Sequence, residues 1–212
     1  MEKPVRVLHI LQRMEAGGTQ ALLMNIYRKI DRNKVQFDFL VEYPDKQFYD
    51  DEIKNLGGKV YYSAVRKDFN ILKFCNLLKE ILRGNPDYKI VHVHTYSIGY
   101  FCLKAAKEMN VPVRIAHSHN NETVHDAKYL FKLALQKIYT IYATDLFACS
   151  EEIFGTYQRS IFIASSRSGF SFIGTSLCLI VNSCFLPELS ILNLFVTSIS
   201  YLSITNFLYY KH

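Results

Sequence analysis

An α/β architecture built on a doubly wound parallel sheet is the fold class that this 212-residue sequence predicts. Three observations predict it. Apolar runs of strand length alternate with segments whose apolar residues recur at helical spacing. The alternation repeats five or six times with short connections, as in successive β-α units. The first run, Val5–Leu11, is apolar almost throughout, as in a strand covered on both faces.

The elements follow in order. After strand Val5–Leu11, Thr19–Ile30 is helical, with Leu22, Leu23, Ile26 and Ile30 on one stripe. Val35–Val41 is the second strand. Phe48–Leu56 is a short helix stopped by Gly57-Gly58, and Lys59–Ser63 is the third strand. Asn70–Arg83 is a helix carrying Ile71, Phe74, Leu77, Leu78, Ile81 and Leu82 at helical spacing. Strand Tyr88–His94, helix Ile98–Met109 and strand Val111–Ala116 come next. A helix over Ala127–Tyr142, a short strand Asp145–Ala148, and a helix capped by Ser150 with Glu151 and Glu152 in its first turn complete the pattern.

Composition bounds the function. Half the residues are hydrophobic and 14% aromatic, which supports a sizeable core and excludes global disorder. The net charge of +6 suits an anionic partner, whether nucleotide, nucleic acid or lipid surface, without choosing among them. The five cysteines, Cys75, Cys102, Cys149, Cys178 and Cys184, are odd in number and lack a C-x-x-C pair. They indicate a reducing compartment with no disulfide framework and no cysteine zinc site. The opening "MEKPVRVLHIL" reads as a core strand rather than a signal peptide.

The chain divides near residue 158. Residues 1–157 hold 22 Lys+Arg and 18 Asp+Glu, whereas residues 158–212 hold only Arg159, Arg167, Glu188 and Lys211. That tail is rich in Ser, Phe, Leu and Ile, with no sustained period. Ser168–Leu186 and Leu189–Tyr210 are each about the length of a bilayer span, although both carry many Ser, Thr and Asn. Three readings stand open: a hairpin of membrane helices, a buried C-terminal layer, and text from a shifted reading frame. A charged, periodic continuation in another frame beyond codon 157 supports the third. On any of them, residues 158–212 are expected to pack loosely on the first domain.

Ligands of doubly wound sheets bind outside the carboxyl ends of the strands. After the first strand, Gly17 and Gly18 open a helix. Two missing side chains let a ligand approach backbone N–H groups at the positive end of the helix, which suits a phosphate or pyrophosphate. The alternative is a tight turn that needs positive φ. The pattern is neither G-x-G-x-x-G nor a P-loop, which disfavours a nicotinamide dehydrogenase or an ATPase. After the fourth strand, "VHVHT" places His92 and His94 on one face, and "AHSHN" spaces His117 and His119 the same way. Converging pairs read as a metal site, and with it a histidine-metal hydrolase, or as polar contacts to a ligand from near-neutral imidazoles. His9 reads as a satisfied core residue, and His125 as polar surface at a helix entry. The helix over Ala127–Tyr142 carries Lys128, Lys132 and Lys137, either on an ordinary wet face or against anionic lipid.

Three stretches together resemble a known family. "RVLHILQRMEAGGTQALLMNIYRKIDRNKVQFDFLV" is similar to the N-terminus of bacterial GT-B retaining glycosyltransferases that build capsular and exopolysaccharides. "KIVHVHTYSIGYFCLKAAKEMNVPVRIAHSHN" resembles that family's fourth and fifth strands, and "ATDLFACSEE" the strand before its crossing to a second domain. The likeness covers about residues 4–155, with Gln20 where the family usually has Glu. It implies that residues 1–157 form a Rossmann-like, acceptor-side domain, the N-terminal half of a GT-B fold. It further implies transfer from a nucleotide-diphosphate sugar, as co-substrate, to a glycan or lipid-linked acceptor. In that reading Gly17, Gly18 and Thr19 face the donor diphosphate. His119, or else His117, contacts the transferring sugar, and His94, Thr95 and Asn120 lie around it. No metal, cofactor or nucleic-acid partner is implied. The location implied is cytoplasmic, with peripheral contact at the inner face of the plasma membrane. The family's donor domain supplies basic residues and a pair of glutamates. Residues 158–212 hold one acid and three cations, so they are not expected to replace it, and this chain is expected to be incomplete and inactive alone. A non-catalytic acceptor-binding or membrane-associated remnant is the alternative.

Overall fold

The computed structural model describes residues 3–119, 138, 141–148, 169–172 and 179–182. Six strands and five helices run in the order β1 (Val5–Leu11), α1 (Gly18–Lys29), β2 (Val35–Val41), α2 (Asp50–Asn55), β3 (Val60–Tyr62), α3 (Val65–Asp68), α4 (Ile71–Gly84), β4 (Tyr88–Val93), α5 (Gly99–Glu108), β5 (Val113–Ser118) and β6 (Asp145–Ala148). These six strands pair in parallel. Two more, β7 (Gly169–Phe172) and β8 (Leu179–Asn182), extend the sheet antiparallel, giving the order β3-β2-β1-β4-β5-β6-β8-β7. The strand order reverses between β1 and β4, so the crevice of the sheet opens there.

Alternation along the strands makes two cores. Val7, Leu11, Phe37, Phe39, Val41, Ile90, Ile115 and Phe147 face α1 and α2, which bury Leu23, Met24, Tyr27 and Ile53 against them. On the other face Leu8, Ile10, Leu40, Val91, Val93 and Ala116 meet Phe74 and Leu78 of α4 and Cys102 and Leu103 of α5. Helices on both faces are why these strands are apolar on both sides. Asn70 caps α4 by accepting from the Lys73 N–H at 2.9 Å.

The polar exceptions are tied down. Asp38, fully buried in β2, accepts from Arg6 Nε at 2.7 Å, Tyr88 Oη at 2.6 Å and the Lys59 N–H at 2.7 Å. One carboxylate therefore joins β1, β2, β4 and the start of β3. This arrangement meets the requirement that a buried charge be paired and hydrogen-bonded.

Most element ends lie within one or two residues of the sequence expectation, and three differences stand out. The fifth strand spans Val113–Ser118, two residues later than expected. Asn110 adopts the left-handed conformation and the Val111 N–H returns to Ala106 O, so Val111 finishes the helix instead of starting the strand. Four-residue α3 was not expected, being too short to show a period. In the tail, β7 and β8 replace any single bilayer-spanning helix over Ser168–Leu186. No helix among the described residues is long and apolar enough to cross a membrane. The helices expected at Ala127–Tyr142 and from Ser150 lie largely outside the described residues, as does most of the tail.

Candidate functional site

The carboxyl ends of β1 and β4 meet at the switch point, where the His94 N–H donates to Ile10 O at 2.9 Å. After β1 the chain runs through Gln12–Gly17 into α1. Gly17 has extended backbone, φ −128° and ψ 167°, and no side chain caps the helix. Gly57 is the glycine with positive φ among the described residues, so the turn at Gly17-Gly18 does not need glycine for its backbone. A Cβ built on Gly18 meets nothing within 4 Å, and one on Gly17 meets only the flexible end of Gln20. The space beside Gly18 is open, and the first turn of α1 carries no acidic residue. Such an uncapped helix start accepts an anion. Gln20 Nε2 donates to Arg13 O at 2.8 Å and holds the loop. The Arg13 guanidinium stacks 3.5 Å over the Tyr43 ring.

Across the switch point stand five histidines on one face of the sheet. His9 is register partner to His92, and the β4–β5 register, His92 beside Ile115 and Val93 beside Ala116, carries on to set His94 by His117. His9 Nδ1 and His94 Nε2 are 3.1 Å apart, and His94 Nδ1 and His119 Nε2 2.8 Å. His92 Nε2 and His117 Nδ1 are 3.0 Å apart. Phe37 and Phe147 pack edge-on against the buried end. Burial holds all five imidazoles below their ordinary pKa, His9 at about 3 and His119 at about 4; nearby histidines lower His92, His94 and His117 further. At neutral pH the array is therefore uncharged, and its rings are held by each other's hydrogen bonds. Such imidazoles can bind a hydroxyl or ligate a metal ion.

The predicted residues separate by position. His119 follows the last residue of β5 and is partly exposed, whereas His117 lies within β5 and is only 5% exposed. His94 is the hub, touching both His9 and His119. Thr95 is buried, with its hydroxyl 3.4 Å from Ser97 Oγ. Thr19 lies in the first turn of α1. Asn120 lies outside the described residues. His9 is a core residue, as expected, but it also anchors the array.

One group was missed in the sequence. Glu42, just after β2 and fully buried, pairs with Arg66, whose Nη2 donates to Ser97 Oγ at 2.5 Å. Glu42 follows a strand at the same edge, which was the available signal, but its partner comes from the unforeseen α3.

Residues 16–165 match glycosyltransferase family 4. Over 151 residues the chain is 38% identical to EpsF of Bacillus subtilis (strain 168), named as a glycosyltransferase, covering 69% of this chain and 39% of EpsF. It is 25% identical over 134 residues to CapH of Staphylococcus aureus, named as a capsular polysaccharide biosynthesis glycosyltransferase, covering 63% of this chain and 36% of CapH. The chain thus spans well under half the length of these two relatives. Among solved structures, HepE of Anabaena, crystallised in complex with UDP and glucose, is similar at a TM-score of 0.53 and 13% identity. That likeness covers 73% of this chain and 40% of HepE, and at such identity it speaks for the GT-B-type fold alone. The family match takes in both the Gly17-Gly18 loop and the strands β4 and β5 that lead into His94 and His119, and by it the chain belongs to glycosyltransferase family 4.

Proposed function

We propose that residues 1–157 are the acceptor-side domain of a polysaccharide-assembling glycosyltransferase, which moves a sugar from a nucleotide-diphosphate donor to a glycan or lipid-linked acceptor. One observation carries this reading. Gly17-Gly18 and His119 stand on the same carboxyl edge, either side of the switch point, one as open backbone at an uncapped helix start and the other as a neutral imidazole. HepE was crystallised with UDP and glucose, which is consistent with it.

Glycosyl transfer requires a departing diphosphate and a developing positive charge on the sugar to be stabilised together. The N–H groups of Gly18 and Thr19 and the dipole of α1 would receive the diphosphate. His119 would hydrogen-bond the transferring sugar without adding positive charge beside it. His94, Thr95 and Asn120 would line the sugar and acceptor side, and the buried His117 would support the array from beneath. The 212 residues, with one acid and three cations after residue 157, are read as incomplete, with little or no transfer by themselves. The setting is the cytoplasmic face of the membrane.

Calorimetric titration with UDP, and then with UDP- and other nucleotide-sugars, tests this reading. Saturable binding that is lost in Gly18→Val is expected. Absence of binding by every nucleotide sugar removes the proposal.

A membrane-associated, acceptor-binding role has its own support. Phe69 and Leu72 are 80% and 78% exposed, beside Arg66, Lys67 and Lys73, which pair with Glu42, Asp45 and Asp68, so the apolar pair is what would meet the membrane. Sedimentation with anionic vesicles, abolished in Phe69→Ser/Leu72→Ser, would favour it; sedimentation unchanged by that pair would oppose it.

A further inference from the structure

The Glu42–Arg66 pair lies at the carboxyl edge of the sheet, on the opposite face from the histidines. We propose that Arg66, with Ser97 and the first turn of α5, forms a subsite for a phosphate group carried by the acceptor. That role rests on the acceptor-side reading of the domain and names what this side recognises.

The sheet divides its own edge. The histidines share the α1 face, where Phe37, Phe39 and Phe147 pack against them. Glu42 follows Val41 of that face, so it turns toward α4 and α5. It is fully buried and holds Arg66 Nε, while Arg66 Nη2 donates to Ser97 Oγ at 2.5 Å. The guanidinium is thus fixed between the end of β2 and the end of β4. An arginine has five N–H donors in a rigid fork, and these bonds occupy two of them. Nη1 has no hydrogen-bond partner among the described residues, and the side chain is 28% exposed. Glu42 offsets the charge of Arg66 but leaves those donors to a ligand. Planar donor pairs of this kind suit phosphate oxygens.

Ser97 leads into α5, a ten-residue helix with no side-chain cap and no acidic residue in its first turn. The Tyr100 and Phe101 N–H groups therefore have no carbonyl inside the helix to bond. An independent observation comes from β5. Ser118 is 0% exposed, and its Oγ makes no hydrogen bond among the described residues. It alternates with His117 and His119, so it faces α5, and it lies beside Thr95, each two residues past the Val93–Ala116 pair. A buried hydroxyl ordinarily has a partner. An oxyanion at the start of α5 would give Ser118 an acceptor.

The surroundings indicate what carries the phosphate. Phe69 and Leu72, 80% and 78% exposed, follow Arg66 in the same short stretch of chain. A phosphate reader next to an exposed apolar pair fits an acceptor whose sugar is joined to a lipid through phosphate. A soluble sugar phosphate presents the same anion without the hydrocarbon.

NMR titrations of the 15N-labelled 212-residue chain test the proposal, with farnesyl diphosphate and with glucose 1-phosphate, each repeated in the presence of UDP. Saturable shifts of the amides of residues 97–101 are expected, unaffected by UDP at the Gly17-Gly18 loop. Glu42→Gln/Arg66→Gln, which removes the buried carboxylate together with its partner, is expected to weaken binding about 10-fold or more. Ser97→Ala, at an exposed position, is expected to weaken it less, and Lys73→Met to leave it unchanged. Phe69→Ser/Leu72→Ser separates the sources. Loss of farnesyl diphosphate alone assigns the lipid-linked acceptor, whereas binding of glucose 1-phosphate alone, unchanged by that pair, assigns the soluble one. Binding of neither phosphate, displacement by UDP, or equally tight binding in folded Glu42→Gln/Arg66→Gln would overturn the proposal. UDP that still binds while neither phosphate does removes this subsite and leaves the donor reading standing, so the two failures are told apart.

Discussion

His94 and His119 share a hydrogen bond of 2.8 Å from one strand end to the next, while the other nitrogen of His94 reaches His9 at 3.1 Å. His94 thereby links the floor of the sheet to the edge where ligands bind. Phenylalanine at this position keeps an aromatic ring and removes both bonds, so His9 and His119 each lose one partner in a dry setting. His94→Phe is expected to destabilise the domain by about 2–4 kcal/mol, against about 1 kcal/mol or less for His119→Ala. Urea unfolding followed by circular dichroism compares them; equal small effects would mean that the bonds contribute little.

The uncharged array makes stability depend on pH in a defined direction. Folded His9 titrates at about 3 and His119 at about 4, and the other three are also lowered. Unfolded histidines titrate near 6.5. Below that value the unfolded chain binds more protons than the folded one, so stability falls as pH falls. The urea midpoint is expected to hold above about pH 7 and to drop from about pH 6.5 to 4. His9→Phe is expected to flatten part of that drop.

Two glycines differ in what an added methyl would meet. At Gly58 it would lie 2.6 Å from Phe37 O and 2.7 Å from Tyr27 Oη, so Gly58→Ala is expected to cost about 1–3 kcal/mol. At Gly18 it would meet nothing within 4 Å, in a helix. Gly18→Ala is therefore expected to keep or slightly raise the melting temperature. If the space belongs to a diphosphate, the same variant weakens UDP binding about 10-fold or more, a loss of roughly 1.4 kcal/mol. Unaltered UDP affinity in Gly18→Ala would leave the loop without its assigned role.

Asp38 concentrates the fold's polar connections. Its carboxylate serves Arg6, Tyr88 and the Lys59 backbone, and the Arg6 side chain is only 18% exposed. Asp38→Ala leaves a mostly buried guanidinium without its partner and is expected to cost about 3–5 kcal/mol. Replacing Glu52, which pairs with Arg28 at the surface, is expected to cost under about 1 kcal/mol. Thermal melts of the two variants, run side by side, check the contrast.

The strands and most helices were legible because their signals are local. Val5–Leu11, Val35–Val41 and Asp145–Ala148 have the bounds that their apolar runs mark. The spacing of two in "HVH" and "HSH" was enough to put each histidine pair on one face. The carboxyl-edge position of Gly17-Gly18 also followed from strand order in the sequence. The reason for the glycines did not. That neither sits in a left-handed turn, and that Gly18 faces open space, needed the backbone angles and the neighbours of each Cβ.

Other features depended on contacts between distant segments. The two-residue shift of β5 rests on Val111 returning to Ala106, and it decides that His119, not His117, stands at the edge. The Glu42–Arg66 pair needed α3, and β8 needed β6 as a template. Above all, the sequence by itself determined an α/β sheet of this family with histidines at two strand ends. Only the tertiary structure decided that five histidines form one neutral cluster of two hydrogen-bonded sets in ring contact, because it sets β1 beside β4 across 85 residues of chain. Periodicity assigns a side chain to a face; the register between strands far apart in sequence comes from the packing of the whole sheet.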